Sequence, residues 1–141
     1  MNIRPATLSD VNALTTLDKV ALGYTASEQV TRQALSRILQ QQDILLVAEH
    51  DNNVVGYVHA TPYQTLYFTP LLNVLGLAVL PEAQHLGIGK QLMSQLEIAA
   101  QSEGYAGIRL NSSTKRTNAH QFYEHLGYVC DKEQKRFFKK L

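Results

Sequence analysis

The spacing of apolar residues along the chain changes several times, and each change marks the start of a new element. Residues 2–5, NIRP, read as a short first strand. In SDVNALTTLDKVAL, Val11, Leu14, Leu17 and Leu22 recur near helical spacing behind Ser9, the predicted N-cap. A second helix is predicted from about residue 27 to residue 41, with Val30, Ala34, Leu35 and Ile38 facing inward. ILLVAEH and VVGYVHA flank DNN, which reads as a β-hairpin closed by an Asx-rich turn. LLNVLGLAVL is mostly apolar, as expected of a strand covered on both faces, and Pro81 ends it.

Beyond Pro81 the period returns to that of a helix. Ile88, Leu92, Leu96 and Ala99 or Ala100 share one face, Lys90, Gln91, Gln95 and Glu97 fall mostly elsewhere, and Gly104 supplies a stop. AGIRLNS is the next predicted strand, NAHQFYEHLG a short helix starting at Asn118 and ended by Gly127, and KRFFKKL a final strand. A further short strand near Tyr128 is compatible with the pattern. The order β-α-α-β-β-β-α-β-α-β describes a mixed sheet with helices, so an α/β or α+β chain. No repeat, low-complexity segment or linker interrupts it, and residues 1–141 read as a single domain.

Composition narrows the class further. Hydrophobic residues make up 45% and charged residues 18%, values typical of a soluble globular protein. A formal charge of +1 gives no bulk attraction to nucleic acid or to an anionic membrane. No apolar run reaches the roughly 18–20 residues of a membrane span. The opening MNIRPATLSD lacks the pattern of a signal peptide. Cys130 is the single cysteine and cannot form an internal disulfide, which fits a reducing cytoplasm. It reads as a packing residue, since nothing near it in sequence is arranged to activate a thiol.

The candidate chemistry begins at QHLGIGK. Gly87 and Gly89 stand between a strand and a helix, where missing side chains let an anion approach backbone N–H groups. The first helical turn leaves about four such donors unpaired, and the helix dipole adds partial positive charge. Two nucleotide motifs fail here. A P-loop would need glycine at Gln84 and Ser or Thr at Gln91, and a dinucleotide fingerprint would need glycine at Leu92. An anion site and a plain tight turn both remain open for the loop taken alone.

VLGLAVLPEAQHLGIGKQLM resembles the acetyl-CoA-binding motif of the GNAT acyltransferases: Gln84, Gly87 and Gly89 match its Gln/Arg-x-x-Gly-x-Gly/Ala signature. NAHQFYEHLGY resembles the family's second signature through Asn118, Ala119, Phe122, Tyr123, Gly127 and Tyr128. One helix and one strand separate the two, and NIRPATLSDV is similar to a typical start of the family, so the resemblance covers nearly the whole chain. It is weakest over residues 22–42 and 61–69.

The resemblance implies a GNAT fold: a mixed, mostly antiparallel sheet of about six or seven strands, splayed at the coenzyme site and flanked by about four helices. It implies acetyl-CoA as co-substrate, a primary amine as acceptor and direct attack in a ternary complex. By the same resemblance, Gln84, His85, Leu86, Gly87, Ile88, Gly89 and Lys90 hold the coenzyme pyrophosphate, and Leu77, Ala78 and Val79 pair with the pantetheine arm. An amide near Val79 is placed to stabilise the thioester oxyanion. Tyr123 becomes the expected general acid for the departing thiolate, because a phenol with a pKa near 10 keeps its proton at neutral pH. Packing in the core is its other reading. Asn118 caps its helix, contacts the coenzyme, or both, and Asn111 is a weaker coenzyme contact.

The pattern breaks at the general base. Many relatives carry a carboxylate on the strand before the loop, where this chain offers Asn73 and Gly76. His59, Glu49 or a water chain remain as substitutes. His120 and His125 lie about 140° apart around a helix, so they form no shared metal site, and a metal is not expected.

SSTKRTNAHQFYEHLGY and QKRFFKKL are also similar to a bacterial subgroup that includes aminoalkylphosphonate acetyltransferases. Lys115, Arg116, Lys135 and Arg136 would favour an anionic amine or lie solvated at the surface, and Lys115 and Arg116 would alternatively meet the coenzyme phosphates. A protein or peptide amine is an alternative acceptor, and a coenzyme-binding sensor or interaction module without turnover is an alternative function. Homodimers are common in the family, and no stretch of this chain identifies an interface.

Overall fold

Apolar strands can satisfy their backbone groups only by pairing with one another, and here they do so in one five-stranded sheet. A computed structural model describes all 141 residues. They cluster into two compact units, Met1–Leu110 and Asn111–Leu141. The first unit holds β1 (Asn2–Pro5), α1 (Val11–Leu22), α2 (Glu28–Leu39), β2 (Ile44–His50), β3 (Asn53–Tyr63), β4 (Leu71–Val79), α3 (Ile88–Ser102) and β5 (Ile108–Leu110). Strand order follows chain order, with antiparallel pairing from β1 to β4 and a parallel β4–β5 pair, the mixed and mostly antiparallel sheet expected.

The β2–β3 hairpin closes through Asp51 and Asn52, both at positive φ, the backbone a two-residue turn between twisted strands requires. Tyr57 belongs to the core cluster built with Val11, Leu14, Leu17 and Leu35 of the first two helices. Its neighbour Gly56 lies against Ile88 and Leu92 of α3. Successive strand residues point to opposite faces, so α1 and α2 cover one face and α3 the other.

A bulge in β4 reverses this alternation. His59 pairs with Gly76 and Ala60 with Val74, which leaves Leu75 as the extra residue. Leu72 and Val74 therefore share the α3 face with Pro62 and Ala60, while Gly76 and Ala78 share the α1–α2 face with His59 and Tyr57.

Several local expectations shift. The helical start is Thr7 rather than Ser9: it caps a 3₁₀ turn over Leu8–Asp10, and its N–H donates to Asp10 at 2.8 Å. Asp10 also accepts two hydrogen bonds of 2.8 Å from Arg4, whose guanidinium holds the carboxyl below its ordinary range. Ser27 caps α2 by accepting from the Val30 N–H at 3.1 Å. The buried positions of α2 are Thr31 and Leu35, and Val30 is exposed, because the helix is rotated from the face its apolar residues suggest.

The second unit contains α4 (Thr117–His125). Its N-cap is Arg116, with no side-chain capping bond, so Asn118 lies inside the first turn instead of capping it. Gly127 takes φ 92° just past the helix, and the Tyr128 N–H donates to the Tyr123 carbonyl at 3.0 Å, a Schellman closure. Neither KRFFKKL nor the segment at Tyr128 forms a strand, and the sheet has five strands instead of six or seven. Phe137 and Phe138 are exposed. Their β-propensity reflects what a strand can pack against, and they have no pairing partner.

Candidate active site

The site starts where β4 loses a partner. β5 pairs with Leu72, Asn73 and Val74 only, so from Leu75 to Val79 the strand is bonded to β3 alone. Leu77, Ala78 and Val79 thus lie on the half of β4 whose outer backbone edge has no strand beside it. Asn111 follows β5 directly and is exposed.

Beyond Val79, a 3₁₀ run over Pro81–Leu86 carries Gln84, His85 and Leu86 to the surface. The Gln84 amide turns back and donates to the Val79 carbonyl at 3.3 Å, bracing the end of β4. Gly87 then takes φ 72°, a conformation that disfavours any side chain, while the space where its Cβ would stand is open to 4 Å. It is the N-cap of α3 and supplies no side-chain cap. Gln91 makes the first bond to Gly87, at 3.2 Å. The N–H groups of Ile88, Gly89 and Lys90 precede it and have no acceptor within the helix. Lys90 is exposed.

The Ile88 side chain is fully buried and fixes this turn to the sheet. Gly56 makes that possible: a Cβ there would stand 3.0 Å from the Ala78 carbonyl and 3.2 Å from Ile88. The amides are therefore held in place before any ligand arrives.

The α1–α2 face of the sheet carries the polar groups. The Tyr57 hydroxyl donates to Asp18 at 2.5 Å, and burial, followed by this bond to a charged partner, pushes the phenol far above its ordinary range. His59 donates through Nε2 to Asp43 at 2.7 Å, and Thr61 donates to the other Asp43 oxygen at 2.8 Å. Arg109 donates to Asn73 at 2.7 Å and lies 4.6 Å from the centroid of the Tyr63 ring. Glu49, one of the expected substitutes for the base, is instead ion-paired with Arg4.

In the second unit Tyr123 is half-buried, with the rings of Phe122 and Tyr128 at 5.2 and 5.9 Å. Burial pushes its phenol up, partly offset by the positive charge of Arg116. Asn118 is exposed. His120 bonds the Ser113 carbonyl at 2.8 Å and His125 the Gln121 carbonyl at 2.7 Å, so each ring serves its own neighbourhood.

The sequence reading missed Asp18 and Tyr57, whose contact joins residues 39 positions apart. Gly76 was the available signal, since a glycine inside a strand marks a close approach. Here a Cβ would stand 3.0 Å from the Tyr57 oxygen.

Residues 41–130 match the family model of the acetyltransferase (GNAT) domain, a span that holds both the glycine loop and NAHQFYEHLGY. The chain belongs to the GNAT family. An uncharacterized N-acetyltransferase of Chlorobaculum tepidum is 25% identical over 129 residues, covering 89% of this chain and 74% of the relative. The GNAT fold is shared with an aminoglycoside 6'-N-acetyltransferase from Acinetobacter haemolyticus (TM-score 0.86, 20% identity, 100% of this chain and 99% of that one). It is shared too with AAC(6')-Iy, solved with a bisubstrate analogue of coenzyme A and acetylneamine (TM-score 0.85, 19% identity, 99% and 97%). A structure described as a transcriptional regulator from Bacillus halodurans matches at TM-score 0.85 and 26% identity, over 98% and 99% of the two chains. This GNAT chain has no helix long and apolar enough to cross a membrane.

Proposed function

We propose that residues 1–141 act as one N-acetyltransferase, moving an acetyl group from acetyl-CoA to the primary amine of a small molecule by direct attack in a ternary complex. The observation that carries this reading is the Gln84–Lys90 turn. It presents the amides of Ile88, Gly89 and Lys90 without helical acceptors, beside a β4 edge without a strand partner. A donor set of backbone amides at a helix N-terminus suits a pyrophosphate, and a free strand edge suits the amide groups of a pantetheine arm. Both parts of the coenzyme thus have a chemical counterpart on adjacent segments.

In this reading Gly87 keeps the approach to the amides open, His85, Leu86 and Lys90 flank the phosphates, and Leu77, Ala78 and Val79 bond the arm. Gln84 acts by bracing the loop. An amide near Val79 receives the oxyanion, and Tyr123 protonates the departing thiolate. Its raised pKa keeps the phenol protonated at neutral pH, so this group should impose no fall in turnover between pH 7 and 9. Asn111 and Asn118 supply lesser coenzyme contacts. Proximity contributes most to the rate, since holding amine and thioester together can provide several kcal/mol, up to about 7–11.

The absence of an acidic residue on β4, together with the regulator among the structural neighbours, favours one second reading: a coenzyme-binding module without turnover. Thiol release from acetyl-CoA with a panel of primary amines separates the two. Turnover with any amine supports the enzyme, and coenzyme binding without thiol release supports the module. Tyr123→Phe should lower kcat by about 10²–10⁴ with little change in acetyl-CoA affinity. Unchanged kcat would remove Tyr123 from the reaction.

A further inference from the structure

We propose that Asp18, held over Gly76 by the Tyr57 hydroxyl, is the site that receives the acceptor amine as its ammonium ion. This rests on the acetyltransferase reading above and gives it a substrate class: amines that arrive positively charged, with no acidic group beside the nitrogen, and that pass one proton to solvent water before the nitrogen attacks.

The argument starts from a strand without a carboxylate. LLNVLGLAV offers no acidic side chain, and the Asn73 amide oxygen already accepts from Arg109. The carboxylates near this face are otherwise engaged: Asp10 and Glu49 by Arg4, Asp43 by His59 and Thr61. Asp18 differs. Its Oδ1 accepts from Tyr57, and its Oδ2 has no hydrogen bond.

Position then decides. Tyr57 is the cross-strand partner of Ala78, but its ring leans along the sheet so that the hydroxyl stands 3.0 Å from where a Gly76 Cβ would be. Asp18 is 2.5 Å from that hydroxyl. The Tyr57 oxygen thus stands over the stretch of β4 that lacks a β5 partner, one residue before Leu77, and the Asp18 carboxylate lies one hydrogen bond beyond it. Any side chain at residue 76 would push the phenol away.

The chemistry suits a cation. A half-buried carboxylate with one oxygen fixed loses little freedom on pairing, and charge-assisted bonds to ammonium are among the stronger polar contacts. A substrate with its own phosphonate or carboxylate next to the amine would bring a second anion to the same place, which disfavours it.

The test compares spermidine and kanamycin with 2-aminoethylphosphonate as acceptors for the full chain. Asp18→Asn preserves an acceptor for Tyr57 but removes the charge. It should raise the KM for both cationic amines at least tenfold, leave the acetyl-CoA KM unchanged, and abolish the rise of amine KM with salt. Calorimetric titration of spermidine into coenzyme-loaded protein should show the same weakening without turnover. Tyr57→Phe, which frees the carboxylate without removing it, should give a smaller rise in KM. An unchanged amine KM and affinity in Asp18→Asn, or a preference for 2-aminoethylphosphonate, would overturn the proposal while the acetyltransferase reading stood. Absence of thiol release by the wild type with every amine would overturn that reading itself.

Discussion

The two halves of β4 are continuous in sequence and opposite in use. Leu71–Val74 is flanked by β3 on one side and, from Leu72, by β5 on the other, with Leu72 fully buried and Val74 nearly so. Leu75–Val79 begins with an exposed bulge residue, keeps only β3, and runs into a turn whose amides have no helical acceptors. Both halves are apolar, so composition does not separate them. What separates them is the length of β5, which ends at Leu110 and leaves the rest of β4 as an edge. An unpaired edge inside a protein is costly unless something bonds to it, and in the function proposed above that partner is the coenzyme.

If the first half serves stability and the second serves binding, substitutions should divide accordingly. The largest effect is expected at Leu72. Leu72→Ala opens a cavity in the fully buried layer under α3 and should lower unfolding free energy by about 2–5 kcal/mol in urea titration. The folded fraction should bind acetyl-CoA as tightly as the wild type. Gly87→Ala should do the reverse. Forcing an alanine to φ 72° costs about 1–2 kcal/mol of stability, and in the proposed site its methyl, entering open space at the loop, crowds the coenzyme, so acetyl-CoA Kd should rise at least tenfold. Equal losses of affinity in both variants would break the division. The smallest effect belongs to Lys90→Ala. An exposed side chain should change stability by less than about 0.5 kcal/mol, and its contribution to coenzyme affinity should fade as salt is raised.

The same contrast explains what the sequence could convey. Period, turn and cap signals located every α-helix and every strand that forms, though not the two 3₁₀ turns, because each of those signals is local: DNN for the hairpin, Ile88, Leu92 and Leu96 for the buried face of α3. The glycine loop was legible for the same reason, since the helix N-terminus and Gly87 occur within a few residues. The bulge at Leu75 was not, because it exists only in the register between β3 and β4. Asp18 and Tyr57 were missed likewise: neither residue's neighbourhood in sequence mentions the other. KRFFKKL carried strand-forming residues, yet propensity alone makes no strand where the chain does not pair with a neighbour. Val30 and Thr31 exchanged roles because one step of helix rotation decides which is buried, and that step is set by packing. Asn118 had the chemistry of a cap, but the chain enters α4 two residues earlier, at Arg116.

Amide chemical shifts test the central claim most directly, residue by residue along this one strand and its turn. Uniformly ¹⁵N-labelled protein titrated with coenzyme A should show saturable shifts at Leu77, Ala78 and Val79 and at Ile88, Gly89 and Lys90, with Leu72, Asn73 and Val74 little changed. Absence of binding at millimolar coenzyme, or shifts that leave both of these segments untouched, would contradict the account.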